Sequence, residues 1–163
     1  MNVPVAHTDS EILKGKRILF VEDRPQTLRF FLEALVGVAG SEVKLKKVKT
    51  LQEAVKNLST TDDAFDMVVI DLHMSGELPD ELKPFEAKVQ PSLNEGQTLG
   101  LWLHEHHQDI PYVYLSSVPD AFRTDVGDRP VFDPINKFTE KLRDFPHHLA
   151  DALRIGSAGF QAS

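Results

Sequence analysis

The feature that most constrains this chain is the stretch Asp66-Met67-Val68-Val69-Ile70-Asp71, four consecutive apolar residues running straight into a carboxylate. A strand with one wet face alternates apolar and polar side chains. A strand without alternation is covered on both faces, as happens in a parallel sheet between two layers of helices. The run Ile18-Leu19-Phe20-Val21 has the same character and closes on Glu22 and Asp23. A carboxylate at the end of a buried strand is costly unless it is paired or put to use. Asp71 therefore needs a partner.

The stretches around these runs read as alternating helices and strands. Leu28, Phe31, Leu32 and Leu35 recur at helical spacing within residues 24–40, with Gly37 or Gly40 as the stop. Residues 41–50 form a strand near an edge, carrying Lys44, Lys46, Lys47 and Lys49. Lysines on an edge strand discourage aggregation; a docking patch for an acidic partner is the second reading. Residues 51–63 form a short amphipathic helix, 96–108 a further helix and 110–118 a strand. Residues 119–134 are weakly patterned, so any helix there is short. Residues 136–141 are a brief last strand, and 145–155 a closing helix with Pro146 in its first turn. Residues 77–95, rich in proline and carboxylates, form a long loop with at most one irregular helical turn. Residues 1–15 are a loose N-terminal arm and 156–163 a frayed tail.

About five strand–helix alternations predict an α/β fold. The expected architecture is a doubly wound, five-stranded parallel sheet with helices on both faces, a three-layer α/β/α sandwich in one domain over residues 16–155.

Composition excludes several function classes. Eighteen basic against 25 acidic residues leave a net charge of −7, which disfavours non-specific nucleic-acid binding. The chain has no cysteine, hence no disulfide, thiolate metal site or thiol nucleophile. Apolar runs fall far short of the ~20 residues of a membrane span. The N-terminus lacks the basic start and apolar block of a signal peptide. The expectation is a cytoplasmic protein.

In a sheet of this kind ligands sit just beyond the carboxyl ends of the strands. Three strands end there in polar groups: Glu22 and Asp23, Asp71, and Ser116 and Ser117. Lys141, at the end of the last strand, can supply a cation. Crowded carboxylates repel unless a cation intervenes, and a hard, oxygen-lined site suits Mg²⁺. A hydroxyl and an ammonium beside them complete a cradle for a phosphoryl group. Asp71 is then a nucleophile that takes the phosphoryl group as an acyl phosphate.

With these residues in order, the chain resembles the receiver domain of two-component response regulators. "ILFVEDRPQTLRFFLEAL" is similar to the family's first strand, acidic pair and first helix. "VVIDLHMSGE" is similar to its phosphoacceptor strand, commonly Asp-Leu-x-Met-Pro-Gly, with Ser75 in place of the proline. "EGQTLGLWL" resembles the glycine-led helix that follows, and "IPYVYLSS" the fourth strand ending in Ser or Thr. The resemblance covers about residues 16 to 155 and implies a flavodoxin-like fold.

It also implies roles. Asp71 would be phosphorylated, Asp23 would bind Mg²⁺ directly, and Glu22 would act through water or orient the site. The backbone carbonyl of His73 would be a further metal ligand. Ser116 would hydrogen-bond the phosphoryl group, and small Ser117 would leave room for water or donor. The family's lysine lies about twenty-two residues after the hydroxyl, with an aromatic switch residue three before it. Lys137 lies 21 and Lys141 25 residues after Ser116. Phe138 stands three before Lys141, whereas Pro134 stands three before Lys137. Pro146 also forbids an unbroken helix from Thr139, so residues 138–141 read as strand. Lys141 is the expected site lysine and Phe138 the expected switch, with Lys137 the competitor.

The implied function is a stand-alone receiver, not an enzyme, phosphorylated by a sensor histidine kinase or histidine phosphotransfer protein. With only about eight residues after the last helix, output is expected through an unidentified partner protein. The alternative is a degenerate receiver, an interaction module independent of phosphorylation. An aspartyl-nucleophile phosphatase is a weaker reading, because His73 stands where the haloacid-dehalogenase type places a second Asp. The loop of residues 77–95, about fifteen residues longer than usual, is expected to gate the donor or bind the partner. His104, His106 and His107 suggest a metal, but a solvated helix face is the plainer reading. The same holds for His147 and His148. Trp102 fits core packing.

Overall fold

The computed structural model describes residues 7–60, 64–89, 94–118 and 122–161, with side chains through residue 156. The start of the expected arm (1–6), part of the expected loop (90–93) and the end of the tail (162–163) lie outside the described residues.

Five strands, β1 (Arg17–Val21), β2 (Lys44–Val48), β3 (Met67–Asp71), β4 (Tyr112–Ser116) and β5 (Ile135–Asn136), form one sheet in the order β2-β1-β3-β4-β5. Every pairing is parallel. The helices are α1 (Asp9–Leu13), α2 (Arg29–Ala39), α3 (Leu51–Ser59), α4 (Glu95–His106) and α5 (Asp144–Gln161). The expected doubly wound α/β/α sandwich is what forms.

The absence of alternation in β1 and β3 has the anticipated cause. Successive side chains point to opposite faces, and both faces are covered. Ile18, Phe20, Met67 and Val69 pack with Phe31, Leu35, Phe145 and Leu149 on the α2/α5 side. Leu19, Val21, Val68 and Ile70 pack with Val55, Leu58, Leu99 and Trp102 on the α3/α4 side. β2 is an edge strand, with Lys44, Lys46 and Lys47 exposed along it and Lys49 just beyond.

Four stretches depart from expectation. The helix expected from residue 24 opens instead as a 3-10 turn, Pro25–Leu28, before α2 begins; Gly40, at φ 85°, ends it by donating to the Val36 carbonyl. The N-terminal arm contains α1, capped at Thr8, with Leu13 fully buried. An ionic cluster fastens it to α5: Asp9 meets His147 at 2.9 Å and Arg154 at 2.8 Å. At the other end α5 continues through Gln161, across residues read as tail. The long loop carries a 3-10 helix, Lys83–Lys88, and Leu82, Phe85 and Val89 are buried in the α3/α4 core. It is a packed lobe.

Between β4 and β5 the described residues contain no helix. That segment is held by a buried polar network instead. Tyr114 Oη donates to Asp128 Oδ2 at 2.7 Å, Gln97 Nε2 to Asp128 Oδ1 at 3.0 Å, and the Arg129 amide to Tyr112 Oη at 2.7 Å. Burial raises the pKa of Asp128 despite the donors.

Candidate phosphoacceptor site

The site sits where β1, β3 and β5 end. Glu22 and Asp23 follow β1 directly, Asp71 is the last residue of β3, and Lys137 is the first residue past β5. Because β1 and β3 are neighbours in parallel register, Val21 beside Ile70, their terminal acids emerge side by side. Glu22, Asp23 and Asp71 each offer a carboxylate oxygen, all within 4.8 Å of one another. Among the described residues this is the only such group of three or more His, Cys, Asp or Glu, and it excludes His104, His106 and His107. His107 instead packs its ring, tilted by 54°, 4.9 Å from that of Trp102.

Glu22 and Asp71 are only 2% and 5% exposed. Their compensation is Lys137, whose Nζ donates to Glu22 Oε2 at 2.6 Å and to Asp71 Oδ2 at 3.0 Å. Asp71 Oδ1 accepts from the His73 amide at 3.1 Å. Burial, then the neighbouring Asp71 carboxylate, pushes Glu22 up to about 8, and Lys137 only partly opposes this. Burial works against the Lys137 ammonium, but the two carboxylates outweigh it and raise its pKa. For Asp23 burial is likewise outweighed: the Ser75 hydroxyl, donating to Oδ2 at 2.9 Å, helps hold its pKa below the ordinary value.

Lys141 is not at the site. It is exposed, and its carbonyl accepts the Asp144 and Phe145 amides at the start of α5. The reason lies at Asn136. Its side-chain oxygen accepts the Phe138 amide at 2.9 Å and its carbonyl accepts the Glu140 amide at 3.0 Å, so the chain turns immediately after β5. Asn is a residue that makes such turns by bonding the backbone two positions on. β5 therefore spans Ile135–Asn136, not residues 136–141, and Lys137, anchored by its amide to the Ser116 carbonyl at 2.9 Å, projects its side chain to Asp71. The turn-forming Asn136 was the signal in the sequence that would have favoured Lys137. Phe138 loses the basis for its switch assignment, since the residue three before Lys137 is Pro134. Phe138 is 81% exposed and lines the site cavity.

That cavity, of about 600 Å³, is walled by Asp23, Asp71, His73, Ser75, Ser117 and Lys137, among others. Ser116 is buried, and its Oγ accepts the Val118 amide at 2.9 Å; Ser117 forms the wall. No described residue of 77–95 lines the cavity, and Glu95, at the end of that stretch, reaches within 3.5 Å of the ring of His73 at the cavity wall. The start of α4 lies close to the end of β3 because of Gly96: a Cβ there would lie 1.9 Å from the Asp71 carbonyl oxygen. Its amide donates to the Leu72 carbonyl at 2.8 Å.

Three carboxylates, an ammonium and a hydroxyl at one cavity have the chemistry to bind a hard cation and to meet a phosphoryl group. No described helix is long and apolar enough to cross a membrane.

No sequence-family profile matches the chain, and no curated protein matches at a significant level. Solved structures do. The N-terminal domain of a response regulator/sensory box/GGDEF protein from Carboxydothermus hydrogenoformans is 16% identical, with a TM-score of 0.64 over 89% of this chain and 99% of that one. A response regulator from Thermotoga maritima, in complex with Mg²⁺-BeF, is 17% identical, with a TM-score of 0.59 over 84% and 98%. A CheY-like receiver domain protein from Methanospirillum hungatei is 15% identical, with a TM-score of 0.57 over 88% and 98%. At these identities the likeness concerns the fold: this chain has the fold of the response-regulator receiver domains.

Proposed function

We propose that the protein is a receiver that accepts a phosphoryl group on Asp71 from a phosphohistidine donor, with Mg²⁺, and signals through a partner protein. The observation that carries this reading is the convergence of Asp71 with Glu22 and Asp23 within 4.8 Å, with the Lys137 ammonium 3.0 Å from the acceptor. The donor set fits the ion, since three carboxylates provide hard oxygens and leave room for water. Bound there, Mg²⁺ would neutralise charge on the transferring phosphoryl group. Asp23 and Asp71 would hold it directly, Glu22 through water, and the His73 carbonyl would add an oxygen.

The chain's own residues do the rest. One Asp71 oxygen attacks phosphorus as the phosphorus–nitrogen bond of the donor breaks. The bonding pair returns to the imidazole nitrogen, which takes a proton. Lys137 stays paired with the product's negative charge, and Ser116 or Ser117 supplies a hydroxyl to a phosphoryl oxygen. The donor would be a sensor histidine kinase or a histidine phosphotransfer protein, in the cytoplasm. The Mg²⁺-BeF carried by the Thermotoga regulator of like fold is in keeping with this.

Incubation with phosphoramidate and Mg²⁺ should add the mass of one phosphoryl group, and Asp71→Asn should abolish the gain. An unmodified chain would refute the reading. A second reading, the degenerate receiver, is favoured by one feature: Lys137 already bridges Glu22 and Asp71 and so neutralises the carboxylates a metal would use. No mass gain, with partner binding unaffected by Asp71→Asn, would select it. Steady turnover of a small phosphoester would instead select an aspartyl phosphatase.

A further inference from the structure

Where the receiver motif commonly has proline, this chain has Ser75, and the substitution introduces a donor that proline lacks. Ser75 Oγ donates to Asp23 Oδ2 at 2.9 Å, joining the loop after β3 to the loop after β1 across 52 residues of sequence. Both residues line the same cavity as Asp71. We infer that Ser75 is a positioning residue for the cation site, its hydroxyl fixing the orientation of the Asp23 carboxylate so that the remaining oxygen lone pairs are presented to Mg²⁺.

A carboxylate accepts at about four lone-pair positions. One hydrogen bond from Ser75 leaves both oxygens able to coordinate, while it removes the side-chain rotation that a free Asp would lose on binding. Asp23 has particular need of this. Glu22 and Asp71 are nearly buried and pinned by Lys137, whereas Asp23 is half-buried and has no ion pair among the described residues. Groups that orient a metal ligand change affinity by about 10–100-fold when removed. Ser75 is exposed, which puts its effect near the lower figure.

The inference rests on the proposed receiver site, and Mg²⁺ titration by calorimetry separates the two. The unaltered chain should bind Mg²⁺, Ser75→Ala about tenfold more weakly, and Ser75→Thr, which keeps the hydroxyl, within about twofold. Thermal midpoints in chelator should agree across the three, because no core contact is removed. In an Asp23→Asn background, Ser75→Ala should have no further effect on Mg²⁺ affinity. If the unaltered chain binds and Ser75→Ala binds equally well, the positioning role is refuted and the site reading stands. If Ser75→Thr is as weak as Ser75→Ala, size and not the hydroxyl matters, and the inference fails. If the unaltered chain binds no Mg²⁺, the metal reading of the site falls and takes the inference with it.

Discussion

Replacing Lys137 with methionine removes the one ammonium that contacts both Glu22 and Asp71 while keeping the length and apolar stem of the side chain. At the surface such a pair would contribute only about 0–1 kcal/mol, but these side chains are largely buried, at 13% exposure for Lys137, 3% for Glu22 and 6% for Asp71. Breaking a buried pair by removing one partner costs about 3–5 kcal/mol, since the other charge stays behind uncompensated. Here the charge left behind is single: Glu22, pushed up to about 8, largely holds its proton near neutral pH, so Asp71 is the carboxylate that loses its counter-charge. The expected loss is therefore about 3 kcal/mol, at the low end of that range. For a chain of this length it amounts to a fall of roughly 6–12 °C in thermal midpoint. Lys141→Met, at an exposed position with no ion pair among the described residues, should stay within about 0.5 kcal/mol. Urea unfolding followed by the fluorescence of buried Trp102, in chelator, measures both. Equal stability of Lys137→Met and the unaltered chain, or an equal loss in Lys141→Met, would refute the placement of the lysine.

The raised pKa of Glu22 makes stability depend on pH. Its folded value, about 8, lies above the ordinary 4.5, so the folded state holds the proton more tightly than the unfolded chain. The stability this confers is complete below the ordinary value and is lost as pH rises through the folded one. In chelator, urea midpoints should fall between about pH 5 and 8, and Glu22→Gln, which imitates the protonated acid, should flatten that decline; an unchanged slope would count against it. Gly96→Ala places a methyl group 1.9 Å from the Asp71 carbonyl oxygen, a backbone atom that cannot step aside. A loss of about 3 kcal/mol with slower uptake of phosphate from phosphoramidate is expected, and a neutral outcome would mean that α4 can shift freely.

The sequence by itself determined the layering and the location of the acids. Apolar runs without alternation require two covered faces, and the acids that close them, Glu22, Asp23 and Asp71, must then emerge along one edge of the sheet. Gly96 was legible as the glycine leading the next helix, and the close approach to Asp71 gives its reason. What only the tertiary structure decided are matters of where a short element stops and which side chains then meet. β5 ends after two residues because the Asn136 turn outcompetes further pairing, and a shift of four positions exchanges Lys141 for Lys137. The long loop, polar in composition, becomes a lobe because three apolar side chains find the face of α3 and α4. Ser75 meets Asp23 across two loops with no periodicity to announce it. Periodic burial is written locally along the chain, whereas loop ends and side-chain reach are set by neighbours distant in sequence.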